Sequence, residues 1–590
     1  MSNYNTALNL AQTLLKSKQN ITLDLIREKV KAVLSMLSTM SQIEGIDEEQ
    51  LVRDLESRFN TWMGMGTVLD NIQDHQIWLP DRKSEIQWKF WNRYECYLEE
   101  EKGWSPNVVR RLGQVTDAIL ERLEDPDRLG KWDRRGMVVG QIQSGKTSNY
   151  TGLICKAADA GYKLIIVLTG LHNSLRSQTQ LRLDEGFLGF DTSRSMAFNA
   201  SNQRMGVGLL PQNELLIAHS LTSSSENGDF NTKVAQQVNV IPGGSDPVVL
   251  VVKKNKSVLK NLLSWAVAIQ GVKNQASDKT VVKNVPLLVI DDEADNASIN
   301  TNPPKLDEYR KPIEDWEVSA INGLIRQLLD RFEKSSYVGY TATPFANIFI
   351  YPEGETDEHG KDLFPRSFIY NLEPPDNYIG PVEVFGLHSG DEEEQNSKGL
   401  PIIKIIDDYK PWLPNGHKKD AVPTGCPSSL KKAIQSFVLT CAARSVRGQD
   451  KVHNSMLVHV TRYNSVQSHI AEIVGEYLDY LKKVIEHGPG RMSSSPLDEL
   501  KDLWLTDYMR TTLIILDNNA KIINWDALKG SLHQAASKIQ VKIINGSAKD
   551  ILDYRNHVNG LSVIAIGGDK LSRGLTLEGL SISYYLLRSS

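Results

Sequence analysis

Gly140-Gln141-Ile142-Gln143-Ser144-Gly145-Lys146-Thr147 decides the reading of this chain. A glycine, four residues, a second glycine, a lysine and a hydroxyl side chain is the spacing of a phosphate-cradling loop. Met137-Val138-Val139 before it reads as a short buried strand, and Tyr150 to Ala160 after it as a helix. In that order the glycines let backbone N–H groups curl onto phosphate oxygens, while the helix points its positive end at the same anion. Gly140, Gln143, Ser144 and Gly145 are therefore candidates for lining the anion. Lys146 would meet the β and γ phosphates of ATP, and Thr147 would offer a hydroxyl to magnesium. A chance glycine-rich turn is the bland alternative; the flanking strand and helix favour the nucleotide.

The second anchor is Val285-Pro286-Leu287-Leu288-Val289-Ile290-Asp291-Asp292-Glu293-Ala294-Asp295. An apolar strand here delivers carboxylates at its C-terminal end, where open parallel sheets bind ligands. Aligned on Asp-Glu-Ala-Asp, Asp292 holds the metal and Glu293 polarises the attacking water. A register starting one residue earlier, at Asp291, stays open. The third anchor, Tyr337 to Phe345, is a short strand ending in Thr341-Ala342-Thr343-Pro344. Hydroxyls there, Thr343 in particular, suit a hydrogen bond to the acidic motif that passes on the state of the γ-phosphate.

Further apolar runs, Leu164 to Leu168 and Val248 to Val252, read as parallel strands buried on both faces. Lys253, Lys254 and Lys256 after the latter either face phosphates or, the favoured reading, form a solvated strand end. His172 has no partner in view. Ser193 to Pro247 is polar and reads as an excursion from the sheet. Residues 1–126 carry three- and four-residue apolar spacing and are expected to be all helical. The aromatics Trp88, Phe90, Trp91, Tyr94 and Tyr97 are either a stacking platform for bases or, the favoured reading, helix core docked on the nucleotide domain. Residues 352–447, rich in acidic clusters, proline and glycine, read as a linker or inserted module ending in a helix from Lys431 to Val446. Beyond it, Ser455 to Thr461, Thr512 to Leu516, Val541 to Gly546 and Ser562 to Ile566 read as strands, and Val466 to Lys483 as a helix. Gly567 to Leu580 is a glycine-rich loop.

The order phosphate loop, Asp-Glu-Ala-Asp, then Thr-Ala-Thr-Pro resembles the first motor domain of superfamily-two helicases and restriction-enzyme translocases. With Leu571-Ser572-Arg573-Gly574-Leu575-Thr576-Leu577-Glu578-Gly579 the string is similar to the Z-one domain family of bacterial restriction and phage-defence clusters. The resemblance implies two RecA-like parallel-sheet lobes, 127–351 and 448–590, behind the helical region. It places Asp569, Arg573 and Gly574 at the cleft between lobes. It also makes Asn173, Ser174 and Arg176, at the start of the helix after the second strand, candidates for a nucleic-acid backbone. The family continues with a Gln-Met-Gly-Arg-like motif, so the second lobe is expected to be incomplete at Ser590.

Composition excludes several classes. At 590 residues, with 40% hydrophobic content, this is an ordinary globular chain of about three or four domains. A net charge of -5 argues against a uniformly basic nucleic-acid coat. Cys96, Cys155, Cys426 and Cys441 are too scattered for a zinc site or disulfide framework, so reduced thiols in a cytoplasm are expected. Neither a leader nor a bilayer-length apolar run is apparent, so no membrane partner is expected. The function expected is an ATP-driven motor on DNA, probed as duplex, within a defence system that includes a nuclease or methyltransferase. Two alternatives remain: a nucleotide-gated switch that docks such a partner, and an RNA helicase.

Overall fold

The computed structural model describes residues 3–16, 23–39, 46–60, 66–71, 73, 75–141, 145–197, 202–210, 216–238, 240–273, 280–300, 319–350, 355–356, 358–374, 378–387, 397–488, 495–515, 522–544, 554, 557, 559–568 and 577–586. They divide into two units, Met1–Tyr378 and Ile379–Ser590.

The first unit is built on an eight-stranded sheet. In chain order its strands are β1 (Thr67–Asp70), β2 (Trp132–Val139), β3 (Leu164–Thr169), β4 (His219–Ser220), β5 (Val248–Lys253), β6 (Leu287–Asp292), β7 (Lys334–Thr341) and β8 (Phe368–Asn371). Their spatial order is β1-β8-β2-β7-β6-β3-β5-β4, parallel throughout except for β1 against β8. Successive side chains of a strand face opposite ways, so continuous apolar runs fill two cores. Leu164, Ile166, Leu168, Leu287 and Val289 enter one core; Ile165, Val167, Leu288, Ile290 and Val338 enter the other. The Ser193 to Pro247 excursion returns to the sheet as its edge strand, β4.

The N-terminal region is helical apart from β1, which reaches back to the sheet edge. Helices α1 (Asn3–Lys16), α2 (Leu23–Thr39) and α3 (Glu48–Asn60) share a small core of their own, with Leu8, Val30, Val33 and Leu55 buried. Helices α4 (Lys89–Glu100) and α5 (Pro106–Arg122) lie over α6 (Lys146–Ala160), and the aromatics of α4 join the sheet's core. Trp91 is the wedge. A Cβ placed on Gly113 of α5 or Gly152 of α6 would come within 3.0 Å of its ring. The Lys156 ammonium sits 4.2 Å above the same ring and donates to Gly113 O and Asp117 Oδ1. Docking, rather than a platform for bases, is what these rings do. On the other sheet face, after helix α7 (Asn173–Leu183), α8 (Lys256–Gln270) and α9 (Ala320–Asp330) bury Leu259, Trp265, Ile325 and Leu329.

Residues 352–447 divide between the two units. Phe368–Asn371 forms β8, beside the phosphate-loop strand, whereas α10 (Ser428–Val446) packs in the second core. That core surrounds the parallel sheet β10-β11-β9-β12, made of β9 (Asn454–His459), β10 (Ile539–Ile544), β11 (Ser562–Gly567) and β12 (Leu580–Tyr585). Helices α11 (Asn464–His487), α12 (Met509–Ile515) and α13 (Trp525–Ser537) belong to the same unit, as does a short helix at Pro496–Leu503 that precedes α12. One expected strand is overturned: Thr512 to Ile515 is the end of α12. The preceding helix runs into α12 through a π-turn at Trp504–Tyr508, and Leu513, Ile514 and Ile515 stay exposed, so no sheet claims these apolar residues. All four cysteines are free thiols. Among the described residues no helix is long and apolar enough to cross a membrane.

Replacing Trp91 with alanine would leave a cavity between two glycines and strip Lys156 of its ring. We expect a loss of about 3–5 kcal/mol, measured by denaturant on the unfolding transition of the first unit.

Candidate active site

Strand register brings the candidate residues to one edge. Val139 pairs with Thr341, Tyr340 with Asp292, Asp291 with Leu168, and Thr169 with Lys253. The phosphate loop, the threonine motif, the acid turn and the start of α7 therefore leave the same C-terminal rim.

Gly140 starts the loop with its N–H on Thr341 O at 3.0 Å. Gly145 ends it at φ 92°, a left-handed conformation that glycine adopts without strain, and this swings the chain into α6. Gln143 and Ser144 lie outside the described residues. Lys146 folds back, donating to Gly140 O at 2.9 Å and Gln141 O at 2.8 Å. Burial lowers its ammonium from the ordinary value, against the opposing pull of Asp292, Asp295 and Glu293. The Thr147 hydroxyl accepts from Arg182 Nη1 at 2.9 Å, a contact between α6 and the last turn of α7 that the sequence did not suggest.

The acid turn separates its carboxylates by function. Asp291 is fully buried, paired with Lys254 Nζ at 2.7 Å and accepting from Tyr337 Oη at 2.6 Å. Asp292 faces the other way, where Tyr150 Oη lies 3.3 Å from its Oδ2. Asp291 is thus held inside the protein by Lys254 and Tyr337, whereas Asp292 lies on the side of Tyr150 and Lys146. Burial first, and then the neighbouring Glu293 carboxylate, push Asp292 up to about 6, although Lys254 and Lys146 pull the other way. Glu293 holds a left-handed φ of 55°, unusual for a side-chain-bearing residue, and its N–H donates to Asp292 Oδ1 at 3.1 Å. Asp295 accepts from both Thr341 Oγ1 (2.8 Å) and Thr343 Oγ1 (2.7 Å), so the threonine motif grips the end of the acid turn.

The nucleic-acid candidates fare unequally. Asn173 opens α7 and accepts from Lys253 Nζ at 2.7 Å. The Ser174 hydroxyl oxygen is buried. Arg176 requires a correction. It is fully buried, and its guanidinium donates to the carbonyls of Ser223 (2.8 Å) and Ser225 (2.5 Å), so it braces the 220–228 segment and cannot reach a ligand. His172 precedes the helix without a side-chain cap bond. Asp569, Arg573 and Gly574 lie outside the described residues.

The donor set fits magnesium. A hydroxyl and a carboxylate are hard oxygen ligands, and this ion commonly takes one or two protein ligands, the rest being water and phosphate. Among the described residues no cluster of three or more His, Cys, Asp or Glu is arranged to hold a metal.

Fold and rim together define a mixed α/β protein with a phosphate loop facing an acid turn. Residues 429–590 match the Z1 domain, which places the family resemblance in the second unit; the phosphate loop and acid turn precede the matched residues. Two solved structures are similar. One is the Pyrococcus furiosus Hef helicase domain, at 13% identity and a TM-score of 0.26, covering 76% of this chain and 86% of that one. The other is the ATP-dependent Type ISP restriction-modification enzyme LlaBIII bound to DNA, at 11% identity and a TM-score of 0.24, covering 76% of this chain and 24% of that one. No curated protein matches the chain.

A carboxyl held above its unfolded value destabilises the fold whenever it is ionised. Asp292→Asn should therefore raise stability at pH 7 to 8 by on the order of 2 kcal/mol. The gain should fade as pH falls through about 6 toward the unfolded value, where both states of the parent are protonated. Thermal melts across that pH range check it. With ATP and magnesium the order should reverse, the parent gaining more than the variant.

Proposed function

We propose that this chain is an ATP-driven nucleic-acid motor of a bacterial restriction or anti-phage system, a helicase- or translocase-like ATPase acting on duplex DNA in the cytoplasm. One observation carries the reading: the phosphate loop and the carboxylates after Ile290 leave the same rim and meet around Lys146, Thr147 and Asp292. The Z1 match and the motif string supply the defence context, in which a nuclease or methyltransferase would be the working partner.

In this reading Lys146 trades its two loop carbonyls for the β and γ phosphates, and the N–H groups at the start of α6 take the remaining oxygens. Thr147 and Asp292 would hold magnesium, which when bound neutralises phosphate charge. Arg182 then gives up the Thr147 hydroxyl, so the last turn of α7 responds to loading. Glu293 orients the attacking water, working by position and charge rather than covalent chemistry. Asp295, gripped by Thr341 and Thr343, carries the state of the site into the segment after β7. Asn173 is the remaining candidate for a DNA backbone, with Arg573, Asp569 and Gly574 proposed to serve the cleft side.

Lys146→Ala is expected to abolish ATP binding in the full chain, and Glu293→Gln to keep binding while losing at least about 100-fold in turnover. Isothermal binding and phosphate release measure the two. Equal turnover in Glu293→Gln and parent would remove Glu293 from its role. Stimulation by duplex DNA with directional triplex displacement is the result expected of a motor. Stimulation by RNA alone would favour the RNA helicase, and ATP binding without displacement the docking switch.

A further inference from the structure

We propose that Lys254 is a positioning residue for hydrolysis, fixing the acid turn so that Asp292 and Glu293 are held ready before nucleotide arrives. The inference rests on the reading of this site as an ATP hydrolase, and assigns it a part that none of its motifs contains.

Lys254 directly follows β5 and was expected to be solvated; instead its side chain is fully buried. Its Nζ meets Asp291 Oδ1 at 2.7 Å and the carbonyls of Asp292 at 2.9 Å, Glu293 at 2.7 Å and Asn296 at 3.0 Å. Its three N–H donors are matched by the three carbonyls, and Asp291 Oδ1 meets the same charge as an ion pair, all within one six-residue turn. Tyr337 secures the far oxygen of Asp291. Three carbonyls turned onto one cation dictate the path of residues 292–296, including the left-handed Glu293. Such a conformation persists only where its surroundings over-determine it. The Glu293 carboxylate is in turn aimed at Gly170, where a Cβ would lie 3.3 Å from its Oε2. Lys254 thus touches no ligand, yet it sets the backbone from which the metal and water residues project. The side chains at the end of β5 work in opposite directions: Lys253 holds Asn173, and Lys254 holds the acid turn.

Removing the lysine alone would strand a buried carboxylate and destabilise the fold, so the test removes both charges. In Lys254→Met/Asp291→Leu the buried pair becomes apolar at similar volume, a change that is often neutral for stability. The full chain is assayed with ATP and magnesium, with and without duplex DNA. Here three carbonyls and the Tyr337 hydroxyl lose a partner, so we expect a lower melting temperature with the chain still folded at assay temperature, ATP affinity within about threefold, and kcat down by about 100-fold, the scale of a displaced catalytic group. Amide exchange at residues 292–297 should quicken at least about tenfold. Parental kcat in the pair variant would reduce the lysine to a structural counter-ion and overturn the proposal. Should the parent itself hydrolyse nothing under any condition, the hydrolase reading fails separately. Exchange then judges the clamp: unchanged protection overturns it, and faster exchange upholds it.

Discussion

Two adjacent carboxylates at the end of a buried strand cannot share a solution, because the strand's period of two sends them to opposite faces. Asp291 follows Leu287 and Val289 into one core, where an unpaired charge would cost several kcal/mol. Lys254 and Tyr337 meet that cost. Asp292 follows Leu288 and Ile290 to the face that carries α6, where the Tyr150 hydroxyl and the Glu293 N–H reach it. One acid is therefore paired inside the sheet, and the other lies on the side of the 140–147 loop. The rim depends on this division, since the same turn delivers Glu293 and Asp295 to their neighbours.

Much of this was legible in the residues. Continuous apolar runs marked β3, β5 and β6 because each is buried on both faces, and the loop motif marked the strand and helix around it. The aromatic stretch read correctly as core, since Trp91, Tyr94 and Tyr97 recur at three-residue steps on a helix that must face something. Less was legible where identity came from a distant partner. Lys254 looks like any charged strand end, and only the fold brings it to Asp291. A usable signal existed: continuing the strand's period of two puts Lys254 on the face of Val248, Leu250 and Val252, which a core covers. Arg176 failed for the converse reason, a polar helix start whose exposed look gave no hint that residues 220–228 would cover it. Thr512 to Ile515 misled through its β-branched composition, which yielded to the helix already running into it.

The N-terminal helices are not an appendage to the eight-stranded sheet. The rings of α4 fill the same core as α6 and the sheet, with Trp91 between two glycines on neighbouring helices. Asp159 at the end of α6 accepts the N–H groups of Phe90 and Trp91, capping α4 from that helix. Burial pushes that carboxyl up to about 7 despite these bonds, a cost accepted where the helices join. The helix bearing the phosphate loop is thereby held on both sides, by the sheet and by α4 and α5.

The position of β2 has a consequence for synthesis. Its two neighbours, β7 and β8, are supplied by chain roughly 200 residues further on. A ribosome adding about 5–20 residues per second exposes the phosphate-loop strand for on the order of 10–40 seconds before either edge can be paired. During that interval a strand with both ladders open is a template for unwanted association. Nascent molecules on one message would be the nearest hazard, and a holding chaperone the natural remedy.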